Sequence, residues 1–261
     1  MKSFCWTVLL AMLSLPARAL AQAGPPYQTD DPDPVEYHHW EFYVASQDLR
    51  TSDGASGTLP HVEVNFGALP GVQLHLLVPL AYAREGGGRT AFGFGDVEAG
   101  AKVQFVKEGT RRPMVGTFVQ TEWPAGSAAD GLGTGHVRVL IPLWLQKSFG
   151  PWSTDAGGGF WVNPGAGNRD YWIWGWQVQR RLSDRATLGT EAFYTSSDHV
   201  GGRSSLMANV GLVVNITERH HVLFSAGHSA VGDRALQSYV AYQLTIGSDT
   251  PNPAPVKTWR P

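Results

Sequence analysis

The feature that most constrains this chain is a two-residue alternation of polar and apolar side chains that runs through nearly all of it after residue 36. Such a period places the two kinds of residue on opposite faces of a β-strand. His61, Glu63 and Asn65 alternate with Val62, Val64, Phe66 and Ala68, and Val72, Leu74, Leu76, Val78, Leu80 and Tyr82 alternate with Gln73 and His75. Val97, Ala99, Ala101, Val103 and Phe105 interleave with Asp96, Glu98, Lys102 and Gln104; Val137, Val139, Ile141, Leu143 and Leu145 interleave with His136, Arg138 and Gln146. Twelve segments of this kind are expected, near 37–47, 60–68, 72–83, 94–106, 114–124, 136–148, 152–162, 171–181, 186–195, 204–214, 221–229 and 236–246. Several approach the roughly 9 to 11 residues that a tilted strand needs to cross a bilayer.

Alternation alone fits a sandwich as well as a barrel, and the connections discriminate. One set is tight: Leu69-Pro70-Gly71, the turn at Gly109, Phe149-Gly150-Pro151, Ser183-Asp184-Arg185 and the turn at Thr217. The other is longer and rich in Gly and small polar residues: Arg50–Leu59, Arg84–Phe92, Ala125–Gly135, Asn163–Asp170, Ser196–Arg203 and Ala230–Ala235. Short turns at one end and long loops at the other characterise a bacterial outer-membrane barrel, with turns periplasmic and loops outside. The expected fold is therefore all-β, a transmembrane antiparallel up-and-down β-barrel of about 12 strands.

The ends fit export. Met1-Lys2, the apolar run Trp6–Leu15 and the small residues Ala19, Ala21 and Ala23 read as a signal peptide at 1–23. Next come an N-terminal periplasmic leader at 24–36, the outer-membrane barrel at 37–247 and a Pro-rich tail at 248–261. The single Cys, Cys5, falls in the signal segment, which excludes a disulfide scaffold and cysteine chemistry in the mature chain. A formal net charge of -2 leaves no basic field to hold nucleic acid.

Trp and Tyr girdles are expected at both edges of a barrel's apolar band. Tyr82, Trp123, Trp172, Trp174 and Tyr194 fall near the long-loop ends of their strands on the apolar side, and Trp40 and Trp152 mark the opposite rim. Several stretches also carry a resemblance: Gly24-Pro25-Pro26-Tyr27-Gln28-Thr29-Asp30-Asp31-Pro32, Trp40-Glu41-Phe42, the hairpin from Phe66-Gly67 to Val78-Pro79, and Phe94-Gly95-Asp96 leading to Gly100-Ala101-Lys102-Val103-Gln104-Phe105. Together with Ser225-Ala226-Gly227 to Tyr239 and Tyr242, they resemble the outer-membrane family named for the MetA pathway of phenol degradation. The resemblance implies a barrel in the outer membrane of a Gram-negative bacterium, carrying small hydrophobic or aromatic compounds. Its partners would be outer-membrane lipid, the assembly machinery and a small solute. The tail lacks the aromatic last residue usual in such barrels, so Ile246 or Leu244 would serve instead.

In-facing residues must pair with in-facing residues across a hairpin, which fixes the registers. Asn65 is expected opposite His75, Glu98 opposite Glu122, Lys102 opposite Phe118, and Glu122 near His136 or Arg138. Val139 and Leu143 face lipid and Leu140 faces in. His61, Glu63, Asp96, Glu98, Lys102, Glu122, His136 and Arg138 then gather into a charged ring in the lumen, either a structural network or a selectivity constriction.

Catalytic, cofactor and metal readings are weak. His38-His39 and His220-His221 are adjacent on strands and so point to opposite faces, as do His228 and Ser229. No Gly-x-Ser-x-Gly or phosphate-binding Gly loop is present, and Gly157-Gly158-Gly159 reads as a bend in a strand. The expectation is a channel without catalytic residue, cofactor or metal. A lipid-binding or lipid-hydrolysing barrel and a secreted sugar-binding β-sandwich remain the alternatives.

Overall fold

A computed structural model describes residues 26–247; the expected signal segment and the Pro-rich tail lie outside them. Thirteen antiparallel strands follow one another: β1 (Trp40–Thr51), β2 (Gly54–Leu69), β3 (Val72–Glu85), β4 (Ala91–Phe94), β5 (Val97–Val106), β6 (Met114–Trp123), β7 (Arg138–Phe149), β8 (Trp152–Val162), β9 (Tyr171–Ser183), β10 (Ala186–Thr195), β11 (Ser205–Asn215), β12 (His220–Val231) and β13 (Ala235–Ile246). Sequential neighbours pair, β13 returns to β1, and β2 pairs with β3, so twelve strands close a barrel. Closure leaves no sheet edge with unpaired backbone groups, which is what a membrane requires of strands. β4 is the extra strand, a four-residue appendage paired only with Leu80–Ala83 of β3.

The alternation sets the two faces. Along β7, Leu140, Pro142, Trp144 and Gln146 are buried while Ile141, Leu143 and Leu145 are exposed on the outside. The outward row of β9, Trp172, Trp174 and Trp176, is at least half exposed, at 50%, 54% and 60%. Large apolar residues this exposed on a long, closed sheet form the band that lipid would cover. The registers expected from parity are all found: Asn65 with His75, Glu98 with Glu122, Lys102 with Phe118, and Glu122 with Arg138.

Of the long loops expected from composition, Arg50–Leu59 is mostly strand, and Arg84–Phe92 is trimmed at both ends to a loop at 86–90. β1 and β2 pair out to Arg50 and Ala55, leaving only 52–53 as the turn, and β2 pairs with β3 as far as Gly54 and Glu85. Gly and Ser in this stretch read as loop, but the backbone hydrogen bonds of the ladder continue whatever the side chains. At the other end the turns are tight, and Gly71 and Gly150 take the positive φ that these reversals require, 80° and 60°. Among the described residues no helix is long and apolar enough to cross a membrane, which has no bearing on spanning strands.

Candidate functional site

The lumen is not an open pore, because the leader lies inside it. Sequence reading set 24–36 apart from the barrel, yet from residue 36 the chain climbs into the interior and bonds to strands around the whole circumference. Val35 donates its N–H to Gln73 Oε1 on β3 at 2.9 Å, and Gln104 Nε2 on β5 donates to Asp33 Oδ1 at 3.3 Å. Lys102 Nζ donates to Asp30 Oδ1 at 3.0 Å and to Asp31 Oδ2 at 3.2 Å. Thr29 N–H donates to the Glu191 carboxylate on β10, Gln28 Nε2 to Gln237 Oε1 on β13 at 2.7 Å, and Ser225 Oγ on β12 to the Pro26 carbonyl at 2.6 Å. Thr29, Asp31 and Pro32 are fully buried.

Inward glycines make the bed for this segment. A Cβ at Gly175 would collide with Thr29, at Gly189 or Gly211 with the Tyr27 ring, at Gly116 with Pro32, and at Gly67 with the backbone at Glu36. Each is an inward position of the alternation left without a side chain, so the leader backbone and rings occupy that volume. Burial pushes the Asp33 carboxyl above the ordinary carboxylate range, against the pull of Lys102.

Two walls face the remaining lumen. On β1–β3 and β13 the inward groups are polar and tied to one another. Glu63 accepts from Asn65 Nδ2 at 2.7 Å, Asn65 Oδ1 meets His75 Nδ1 at 2.8 Å, and His61 Nδ1 meets Thr58 Oγ1 at 2.7 Å. Tyr43 donates to Glu41 at 3.0 Å and accepts from Gln243 at 2.8 Å. A cavity of about 240 Å³ lies against this wall, lined by His61, Glu63, Glu98, Gln237 and Tyr239 and floored by Pro26, Tyr27 and Gln28 of the leader. On β6–β10 the inward groups include one buried apolar cluster of Phe118, Leu140, Trp144, Trp161, Tyr171, Ile173 and Phe193, with Glu122 and Arg138 on its loop side. The walls meet where the His75 ring stands edge-on to Phe118, centroids 5.1 Å apart.

The eight residues expected as one ring fall into separate places. His61, Glu63 and Glu98 share the cavity. Glu122 and Arg138 form an ion pair, with Nε to Oε2 at 2.8 Å, and the guanidinium lies 5.1 Å from the Trp161 ring. Lys102 does not serve this pair; it sits deeper, on Asp30 and Asp31. Asp96 is a clasp for the β6–β7 loop. Its Oδ1 accepts from Gly126 N at 3.0 Å and its Oδ2 from Thr134 N at 2.6 Å and Thr134 Oγ1 at 2.8 Å. His136 is exposed on that loop. Strand parity points Asp96 and His136 inward only when it is extended past the ends of β5 and β7, where the backbone no longer follows it.

The expected girdle residues Trp123, Trp172, Trp174, Trp40 and Trp152 are exposed on the outer face at their respective rims. Tyr194 is partly exposed there, and Tyr82 is partly covered with its hydroxyl on the Asp48 carboxylate. Trp40 stacks on Phe66 with centroids 4.2 Å apart, and Arg180 lies 5.1 Å from the Trp152 ring. Among the described residues no group of three or more His, Cys, Asp or Glu is arranged to hold a metal ion. The His228 ring bonds the Ser229 carbonyl, while the Ser229 hydroxyl accepts from Ala235 N, so the two do not form a nucleophile and base.

No family model matches this chain, and no curated protein matches it. Solved structures do. An outer-membrane channel from Pseudomonas putida F1 superposes with a TM-score of 0.73 at 12% identity, over 86% of this chain and 100% of that one. The translocator domain of the autotransporter NalP from Neisseria meningitidis gives 0.57 at 9% identity, over 80% of this chain and 90% of that one. The KdgM porin gives 0.54 at 11% identity, over 77% of this chain and 98% of that one. At these identities the likeness is one of fold, and the fold is that of outer-membrane barrels of the channel and porin type.

Proposed function

We propose that this chain is an outer-membrane channel or transporter for small compounds, hydrophobic or aromatic ones among them, and not an enzyme. The buried inward cluster of Trp144, Trp161, Tyr171 and Phe193 carries the reading, because a lumen wall of aromatic rings offers apolar solutes the burial that a water-filled pore does not. The assignment to the MetA phenol-degradation family belongs to this proposal and rests on the sequence resemblance and its agreement with the fold. In the same reading the mature chain follows a cleaved signal peptide, the long loops face outside, and the turns and the base of the leader face the periplasm. Passage then requires the leader to shift, since Pro26 to Val35 fill the barrel between the two walls.

The test is uptake of a fluorescent hydrophobic aromatic, 1-N-phenylnaphthylamine, by cells with an intact lipopolysaccharide layer. Expression of the protein should accelerate uptake, and Trp161→Ala with Phe193→Ala should remove most of the gain while the barrel keeps its heat-modifiable migration. Uptake independent of expression, or unaltered by the double substitution, would overturn the aromatic reading.

A further inference from the structure

Below the aromatic cluster, five adjacent strands each contribute one inward polar residue at the same level. Gln146 on β7 is registered with Asp155 on β8, Asp155 with Gln177 on β9, Gln177 with Glu191 on β10, and Glu191 with Asn209 on β11. All five are at least 96% buried, and Asp155 and Gln177 are completely so. Gln177 Nε2 donates to Asp155 Oδ2 at 3.1 Å, which fixes the amide orientation and leaves Gln177 Oε1 as an acceptor. Gln177 Oε1, Asp155 Oδ1 and Gln146 Oε1 are buried and make no hydrogen bond within the described residues. Three acceptor oxygens on neighbouring, registered strands are therefore buried without a hydrogen bond of their own, although the Gln179 side chain also bonds the Asp155 carboxylate.

The charge balance points the same way. Asp30, Asp31 and Asp33 of the leader, Asp155 and Glu191 bring five carboxylates to this level of the lumen, and Lys102 is the cation that meets them, on Asp30 and Asp31. Asp155 and Glu191 have no ion-pair partner among the described residues. Buried charges need a counter-charge, and a carboxylate with amide oxygens is the donor set of a hard cation. We propose that Gln146, Asp155 and Gln177 hold such a cation, of the Ca2+ class, in the lumen beneath the aromatic wall. One carboxylate and two amide oxygens hold it, with Glu191 next in the row, so no cluster of three acidic residues is needed. The proposal is independent of what the channel carries.

Terbium(III) is the probe, added to the full chain in detergent after exhaustive chelation. Trp144 lies two residues from Gln146 on the same inward face of β7 and serves as the antenna. Sensitised emission should saturate at one ion per chain and be displaced by Ca2+, and Ca2+ should raise the melting temperature over that in chelator. Asp155→Asn should weaken binding at least tenfold; Gln146→Leu and Gln177→Leu, which leave the charge unchanged, should each weaken it severalfold. Glu85→Gln, exposed at the loop end, should bind as the parent does. Failure of Ca2+ to compete, parent-like binding in all three belt variants, or stabilisation by acid but not by Ca2+ would each overturn the site, the last by making a proton the neutralising species. Should Asp155→Asn not fold, the two Gln→Leu variants decide alone.

Discussion

The two walls of the lumen answer the same demand, filling the inside of a closed sheet, by opposite chemistry. The β6–β10 wall buries large apolar rings that need no partners, so its stability lies in packing. The β1–β3 wall buries carboxylates, imidazoles and amides, each tied to a neighbour, so its stability lies in mutual satisfaction. Volume changes should therefore be costly on one wall and charge changes on the other.

The largest expected effect breaks the packed wall. Trp144 is among the most buried side chains of the molecule, and Trp144→Ala should cost about 3–5 kcal/mol in urea unfolding from detergent. Leu143→Arg, one residue along but on the lipid face, should cost about 2–4 kcal/mol by the penalty for charge near the bilayer centre. Leu140 sits in the aromatic cluster and not in a wet lumen, so Leu140→Arg should be no milder than Leu143→Arg in the same assay. Where the walls meet toward the loops, Glu122→Ala strands Arg138 and should cost roughly 1.5–3 kcal/mol, whereas the double change Glu122→Ala with Arg138→Ala should cost less than the sum of the single ones in a double-mutant cycle.

The smallest effect lies outside both walls. In the turn after β5, burial opposes ionisation of Glu108, but donation from Lys147 Nζ at 2.6 Å and from Ser148 N at 2.9 Å outweighs it and holds the carboxyl below its ordinary value. A carboxyl depressed on folding contributes stability above its unfolded pKa, near 4.5, and loses it as pH falls through the lower folded value. Glu108→Gln should therefore destabilise slightly at neutral pH, and its difference from the parent should shrink in melts taken progressively below that range.

The strands and their registers were legible because period two, tight turns and the in-to-in rule constrain one another, so that Glu98 opposite Glu122 follows from parity alone. The leader's place was not, since a Pro- and Asp-rich stretch reads as solvated chain. Two signals could have found it. Lys102 faces in between Gln73 and Phe118, with no carboxylate beside it in the sheet, so its partner had to come from elsewhere. Gly175, Gly189 and Gly211 occupy inward positions on three successive strands, leaving a volume that some other segment must fill. Asp96 and His136 failed for a different reason, because parity holds only while the ladder does.

The central claim is that the leader closes a lumen that is otherwise wide enough to pass solutes. Its most direct test is conductance across planar bilayers of the mature chain and of a version lacking residues 24–36, each checked for heat-modifiable migration. The expected result is a nearly silent full chain and a steady, severalfold larger conductance without the leader. Equal conductance from two folded barrels would contradict the account, because Pro26 to Val35 would then not be what fills the pore.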